Sequence, residues 1–362
     1  MKKLLLVLTV LLAAVILFTG CKAKEEADGG GEKIQIALLM RNMNEQFLKD
    51  YAENVRKLAA ERGVDLNVQD ANNASDTQLT QLSTLLNQGY KYFVIIPIDS
   101  GLSEQMNQTI AEFGGAASYS NTPPTVEALK VGKNFFFASS PELVAGKYVG
   151  EIIADYFDQN PDKAPGKVLN MLHIQGALGH PAQINREAGM LQELKNRGYT
   201  VNIVAQDTAN WTPDQAQQKM DAWIGAYRNQ FNVVAAQNDG MALGAVESLI
   251  QNGLVKDNAD DGTILTVPVI GIDATAEALN SMSEDKLYAT VLQDSIGQST
   301  VAFDVIYQLA STGDVLGKPA GGLAPASEVT NEPPANDPAV IDQCYLVPYL
   351  PVTKANYKDF MK

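Results

Sequence analysis

Seven short stretches of the chain gather side chains that hydrogen-bond in a plane or offer a flat apolar face. They are Arg41 to Phe47 (RNMNEQF), Ser118 to Asn121 (SYSN), Gly176 to His180 (GALGH), Asp207 to Trp211 (DTANW), Gln237 to Asp239 (QND), Gly271 to Asp273 (GID) and Leu292 to Asp294 (LQD). Amides, carboxylates, an imidazole and aromatic rings in one set suit a polyhydroxylated ring such as a pyranose. Its C–H faces pack on aromatic planes, and each hydroxyl both donates to and accepts from planar side chains.

These stretches share a position in the pattern of the chain, because each follows a short β-rich run and most precede a helical one. The run Ile34 to Met40 is apolar everywhere except Gln35, as a strand buried on both faces requires. After DLNVQD, Ser75 is expected to cap a helix whose Leu79, Leu82, Leu85 and Leu86 share one face and which Gly89 stops; Tyr92 to Ile96 is the next strand. Strand, helix and strand at this spacing imply right-handed crossovers and a parallel sheet covered on both faces. A second series begins after Phe135 to Phe137. Its helices are expected near 142–157, 181–196, 214–228 and 241–251, and its strands at 168–174, 201–205, 233–236 and 267–272. The fold class is therefore α/β, with two doubly wound parallel-sheet lobes. The first lobe is expected to take 34–139 plus 294–331, and the second 140–293 plus 332–362. A multi-crossing hinge joins them near 121–140, 293–295 and just before Tyr345. In open parallel sheets ligands bind beyond the carboxyl ends of the strands, which is where the seven stretches fall. Gly313 to Pro338, rich in Gly, Pro and Ala, reads as a long surface excursion.

Composition narrows the function classes. The 27 basic and 42 acidic side chains give a net charge of −15, which repels a phosphate backbone and argues against nucleic-acid binding. Lys2 and Lys3, the apolar run Leu4 to Phe18 and Thr19-Gly20-Cys21 form a secretory signal too short to span a bilayer comfortably. This segment, residues 1–20, resembles a bacterial lipoprotein signal, with Cys21 the acylated residue and Phe18 where such signals usually carry Leu. Residues 21–33 then read as a flexible tether between membrane and body. With Cys21 acylated, Cys344 is left without an intrachain partner and is expected to be a small buried residue.

The loops resemble the bacterial periplasmic glucose/galactose-binding family, two-lobed receptors of the type I periplasmic fold. The likeness is tightest in Gly179-His180-Pro181 with Arg186, in DTANW at 207–211, in KMDAW at 219–223 and in QNDGMALGAVE at 237–247. The resemblance implies that Phe47 and Trp211 sandwich a sugar and that Asn121, His180, Arg186, Asn238 and Asp273 hydrogen-bond it. Glu45 stands where the family has Asp and Gln293 where it has Asn, each one methylene longer. Ala182 replaces the Asp that would contact the anomeric hydroxyl. The resemblance further implies a monomeric receptor that serves a membrane ABC permease, without a cofactor. The family's calcium loop is degraded here: 158–166 reads DQNPDKAPG, Asn232 replaces the distant Glu, and the string Asp257 to Gly262 lacks a closing Glu, so no metal is expected.

Plainer roles stand beside these. Phe47 at a helix start suits a hydrophobic staple, His180 before Pro181 suits a cap, and Asp239 and Asp294 suit helix caps better than ligand contacts. His173, inside a strand, reads as structural, and Trp223 as core. An enzyme reading has one foothold, Glu45 and Asp273 as a glycosidase acid/base pair, since GxSxG, HExxH, P-loop and GxGxxG motifs are all missing. A sugar sensor presenting its ligand to a chemoreceptor is the remaining alternative, and a repressor would need a basic helix-turn-helix in place of the signal.

Overall fold

The computed structural model describes residues 33–315 and 332–361. The signal segment, Cys21, nearly all of the tether and most of the Gly/Pro/Ala-rich stretch lie outside the described residues.

The first half runs β1 (Gln35–Met40), α1 (Gln46–Glu61), β2 (Asp65–Asp70), α2 (Ser75–Asn87), β3 (Tyr92–Ile95), α3 (Ser103–Glu112), β4 (Ala116–Tyr119), α4 (Val126–Lys130) and β5 (Phe135–Ser139). The second half follows as α5 (Glu142–Gln159), β6 (Val168–Gln175), α6 (Pro181–Asn196), β7 (Thr200–Thr208), α7 (Pro213–Tyr227), β8 (Val233–Ala236), α8 (Asp239–Gln251), β9 (Val269–Ile270), α9 (Ala276–Ser283) and β10 (Thr290–Leu292). The chain ends in α10 (Ser295–Thr312), β11 (Cys344–Leu346) and β12 (Leu350–Val352).

Two sheets result. One is six-stranded, in the order β11-β5-β4-β3-β1-β2, and every pairing in it is parallel. The other is β7-β6-β8-β9, also parallel, and single bridges at Ile270–Ala289 and Asp273–Leu292 bring the β10 strand alongside it. Side-chain alternation explains why the strands are apolar without a break. In β1, Ile36, Leu38 and Met40 join the cluster under α1 and α10, while Ala37 and Leu39 join the one under α2 and α3. In β6, Leu172 and Ile174 face one layer and Leu169 and Met171 the other. Both faces of both sheets are covered, as the double winding requires.

The chain passes between the halves at Ser140-Pro141, at Gln293-Asp294 and at Val347–Tyr349. The last differs from the sequence expectation, which placed all of 332–362 in the second half. Cys344–Leu346 pairs with Phe137–Ser139 at the edge of the first sheet, and Ala335 and Val340 are buried in that half's core. A partner two hundred residues upstream leaves no local signal for such a pairing. Smaller differences are that Ala74, not Ser75, is the cap residue of α2, and that the expected strand 267–272 is reduced to Val269–Ile270. Cys344 is free and buried, as expected.

Glycines set the closest approach in the second half. An added Cβ at Gly146 would lie 2.1 Å from the Arg186 carbonyl oxygen, and one at Gly189 would lie 2.2 Å from that of Leu143. Helices α5 and α6 therefore pack backbone to backbone. This brings Glu142 at the start of α5 within reach of Arg186 on the second turn of α6.

Candidate ligand-binding site

Arg186 is the best-connected side chain at the carboxyl ends of the strands. Its Nε donates to Glu142 at 2.6 Å, Nη1 to the Gln237 carbonyl at 2.5 Å, and Nη2 to Gln293 Oε1 at 2.9 Å and to the Tyr349 hydroxyl at 3.2 Å. The Tyr349 hydroxyl in turn donates a hydrogen bond to Glu142 at 2.8 Å. Glu142, Gln293 and Tyr349 lie one at each passage between the halves, so a single guanidinium ties all three together. Burial alone would lower the pKa of this group, but Glu142, Tyr349 and Asp273 together outweigh burial and hold it firmly charged. Four of its five N–H donors are engaged within the protein.

Trp211 stands on the turn after β7 in a left-handed backbone conformation, φ 66°, and is only 6% exposed. A Cβ on Gly176 would lie 2.0 Å from its ring, so the glycine is what lets the indole lie flat on the strand end. His180 meets the ring edge-on at 5.6 Å, and Arg186 lies over it at 5.6 Å. The indole Nε1 is buried with no hydrogen-bond partner.

His180 caps α6, its Nδ1 accepting from the Ala182 N–H at 3.1 Å. The proton therefore sits on Nε2, which donates to Thr122 Oγ1 at 3.1 Å. Thr122 belongs to the first half and His180 to the second, so the two halves touch here. Burial, then the charges of Arg41 and Arg186, push the imidazole well below its usual pKa and keep it neutral.

Asn238 caps α8 through Oδ1 and donates Nδ2 to the Trp211 carbonyl at 3.2 Å. Asp239 is not a cap: it accepts from the Thr290 hydroxyl at 2.6 Å and the Thr275 N–H at 2.8 Å, and burial raises its pKa to about 6. Asp294 does cap α10, accepting from the Gly297 N–H at 2.9 Å.

Asp273 follows β9 with φ 129°, and its carboxyl group has no hydrogen-bond partner among the described residues. Burial raises its pKa well above the usual carboxylate range, Asp239, Glu45 and Glu142 add to the rise, and Arg186 opposes it. From the first half, Glu45 accepts from Arg41 Nη2 at 2.7 Å and from Asn42 at 3.0 Å. Asn121, with φ 59°, keeps a buried Oδ1 without a partner, as does the Nε of Arg41.

The structure thus brings Glu45, His180, Arg186, Trp211, Asn238, Asp273 and Gln293 into one neighbourhood, with Asn121 beside the contact between the halves. Phe47 packs in the first-half core, 6.5 Å from the Tyr51 ring. At the second position of α1 it is not a staple, which needs the residue before the cap. His173 is fully buried in β6, where burial lowers its pKa to about 4. Thr122, Glu142 and Tyr349 were not singled out from the sequence, and Arg41 and Gln237 entered only as members of candidate loops without a role of their own. Glu142 was within reach, since it follows β5 as the other site residues follow their strands.

Among the described residues no group of three or more His, Cys, Asp or Glu side chains is arranged to hold a metal ion. At the place of the family's calcium loop, Asn232 donates its amide to the Lys163 carbonyl at 3.0 Å and accepts the Asn170 N–H at 2.8 Å. Asp261, from the second calcium-like string, is bound by Lys163, Lys256 and Tyr156. Hydrogen bonds and ammonium groups close these loops.

Residues 36–314 match the family model described as a periplasmic binding protein domain. The chain is similar to the D-galactose/methyl-galactoside binding periplasmic protein of Haemophilus influenzae, 28% identical over 304 residues and covering 83% of each chain. It is similar to the xylitol-binding protein of Mycolicibacterium smegmatis, 27% identical over 299 residues, 82% of this chain and 78% of that one. In fold it matches an ABC transporter solute binding protein of Bacillus halodurans solved with bound myo-inositol, with a TM-score of 0.72 and 24% identity over 92% of this chain and 99% of that one.

Proposed function

The chain belongs to the periplasmic binding protein domain family, and from that premise we propose that it is a lipid-anchored extracytoplasmic receptor that captures a monosaccharide for an ABC permease. It is a binding protein, not an enzyme. Glu45, the would-be acid or base, is engaged by Arg41 and Asn42 on its two oxygens.

The observation that carries the reading is the Trp211 ring, laid flat on Gly176 with Arg186 over it, together with the Asp273 carboxyl that interacts with the same guanidinium. A ring face beside an acceptor is the pairing that a sugar's C–H surface and hydroxyl edge require. Relatives named for galactose and xylitol, and a fold neighbour holding myo-inositol, support a polyhydroxylated ligand. Within that class we assign a glucose- or galactose-like aldohexose that stacks on Trp211 and donates to Asp273 and Asn121. Arg186 has one N–H to offer, Asn238 one amide hydrogen, and His180 none while it is bound to Thr122 and Ala182. Ligand capture brings the halves, joined by three passages of chain, together on the sugar.

A thermal-shift panel of aldohexoses, pentoses and polyols tests this, because a ligand of the folded state raises the melting point. Glucose or galactose should give the largest rise; a panel with no shift sinks the reading. Anchoring is tested separately, by labelled palmitate incorporation into cells. Label should be lost in Cys21→Ala, and label that persists removes the anchor.

A further inference from the structure

Four carboxyl groups and two guanidinium groups interact across the space between the sheets: Glu45, Glu142, Asp239 and Asp273 against Arg41 and Arg186. Both cations are already paired, Arg41 with Glu45 at 2.7 Å and Arg186 with Glu142 at 2.6 Å. Asp239 is held by Thr290 and Thr275. His180 adds no charge, since its Nδ1 accepts a backbone N–H and cannot carry a proton. One titratable group of the set is left without a hydrogen-bond partner among the described residues, the Asp273 carboxyl, only 8% exposed.

We propose that the site is a charge filter, which admits neutral and ammonium-bearing polyols and excludes anionic ones such as uronates, with Asp273 setting the sign. The proposal rests on the polyol reading above and goes beyond it to the charge class of the ligand. A ligand carboxylate would find both cations already neutralised, Arg41 by Glu45 and Arg186 by Glu142, with only spare N–H donors such as the Arg41 Nε to meet it. Drawing Arg186 or Arg41 toward it would strand Glu142 or Glu45 as a buried unpaired charge, which is strongly unfavourable. A ligand ammonium would instead meet the buried Asp273 carboxyl, which burial biases toward its neutral acid and which an adjacent cation would ionise into an ion pair. A neutral hydroxyl needs only to donate to the same carboxyl group.

Calorimetric titration of the whole chain with four compounds altered at a single carbon tests this: glucose, 6-amino-6-deoxyglucose, glucuronate and the methyl ester of glucuronate. The filter predicts that the amine binds at least as tightly as glucose, that glucuronate binds at least a hundredfold more weakly, and that the ester recovers at least tenfold of that loss. In Asp273→Asn, which removes the only way to form the ion pair with the amine at this position, the advantage of the amine should fall at least tenfold. Glucuronate within tenfold of glucose, or an ester as weak as the acid, overturns the filter and leaves sugar capture standing. Failure of all four compounds and their galactose counterparts to bind overturns both. The ester comparison decides the matter on the unmodified chain should the Asn variant not fold.

Discussion

Replacing Arg186 by Met should cost the folded protein far more than the loss of one contact to a ligand. Arg186 and Glu142 are each only 4% exposed, and the guanidinium supplies four hydrogen bonds. Removing it leaves the Glu142 carboxylate with the Tyr349 hydroxyl at 2.8 Å and a long amide contact from Gln293 at 3.4 Å. It also leaves the Gln237 carbonyl and Gln293 Oε1 without their donor. Breaking a buried pair from one side costs about 3–5 kcal/mol. Against a total of roughly 5–15 kcal/mol the variant should fold, with a melting point lowered by on the order of 10 °C. The double variant Arg186→Met/Glu142→Gln removes the stranded charge as well, so it should be more stable than Arg186→Met by about 2 kcal/mol. A denaturant-based double-mutant cycle reads this coupling directly. A single-variant cost under about 1 kcal/mol, or additive singles, would refute the claim that Arg186 fastens the three passages between the halves.

The remaining expectations are local. Gly176→Ala places a methyl 2.0 Å from the Trp211 ring and should weaken sugar binding roughly tenfold to a hundredfold, as loss of the stacked ring itself would; calorimetry showing unchanged affinity would remove the indole from the site. Ala182→Asp should tighten binding of a reducing sugar but not of its 1-deoxy analogue, and equal effects on both would mean that Ala182 does not face the anomeric carbon. Glu332 accepts from the Leu143 N–H and from Asn185 at 2.9 Å, and burial with help from Glu142 raises its pKa to about 7 from 4.5. The stability this raised pKa contributes is present below about pH 4.5 and is lost as pH rises through about 7. Glu332→Gln should therefore gain on the wild type by up to about 3 kcal/mol between pH 5 and 8 in denaturant titrations, and parallel pH profiles would contradict the assignment.

The sheets were legible in the sequence because strands buried on both faces leave unbroken apolar runs, as in β1 and in Tyr92 to Ile95. The loops were legible because parallel strands all deliver their ligand-facing residues at one end. Family likeness added Trp211, Asp273 and His180 by position. Long-range closure was not legible. The pairing of Cys344–Leu346 with β5 joins residues two hundred positions apart, and Glu142 meets Arg186 only because Gly146 and Gly189 let two helices touch. Nor does a sequence show which donors are already engaged. Arg186 and His180 read as ligand contacts, whereas the structure commits four of the five N–H groups of one and both nitrogens of the other to the protein.

Calorimetric titration of the wild-type chain and of Trp211→Ala with glucose, galactose and their epimers is the most direct test of sugar capture. The account predicts saturable binding of one sugar per chain to the wild type, weakened by a similar factor of roughly ten to a hundred for every epimer when the ring is removed. No binding of any monosaccharide by the wild type, or affinities that Trp211→Ala leaves unchanged, would contradict it.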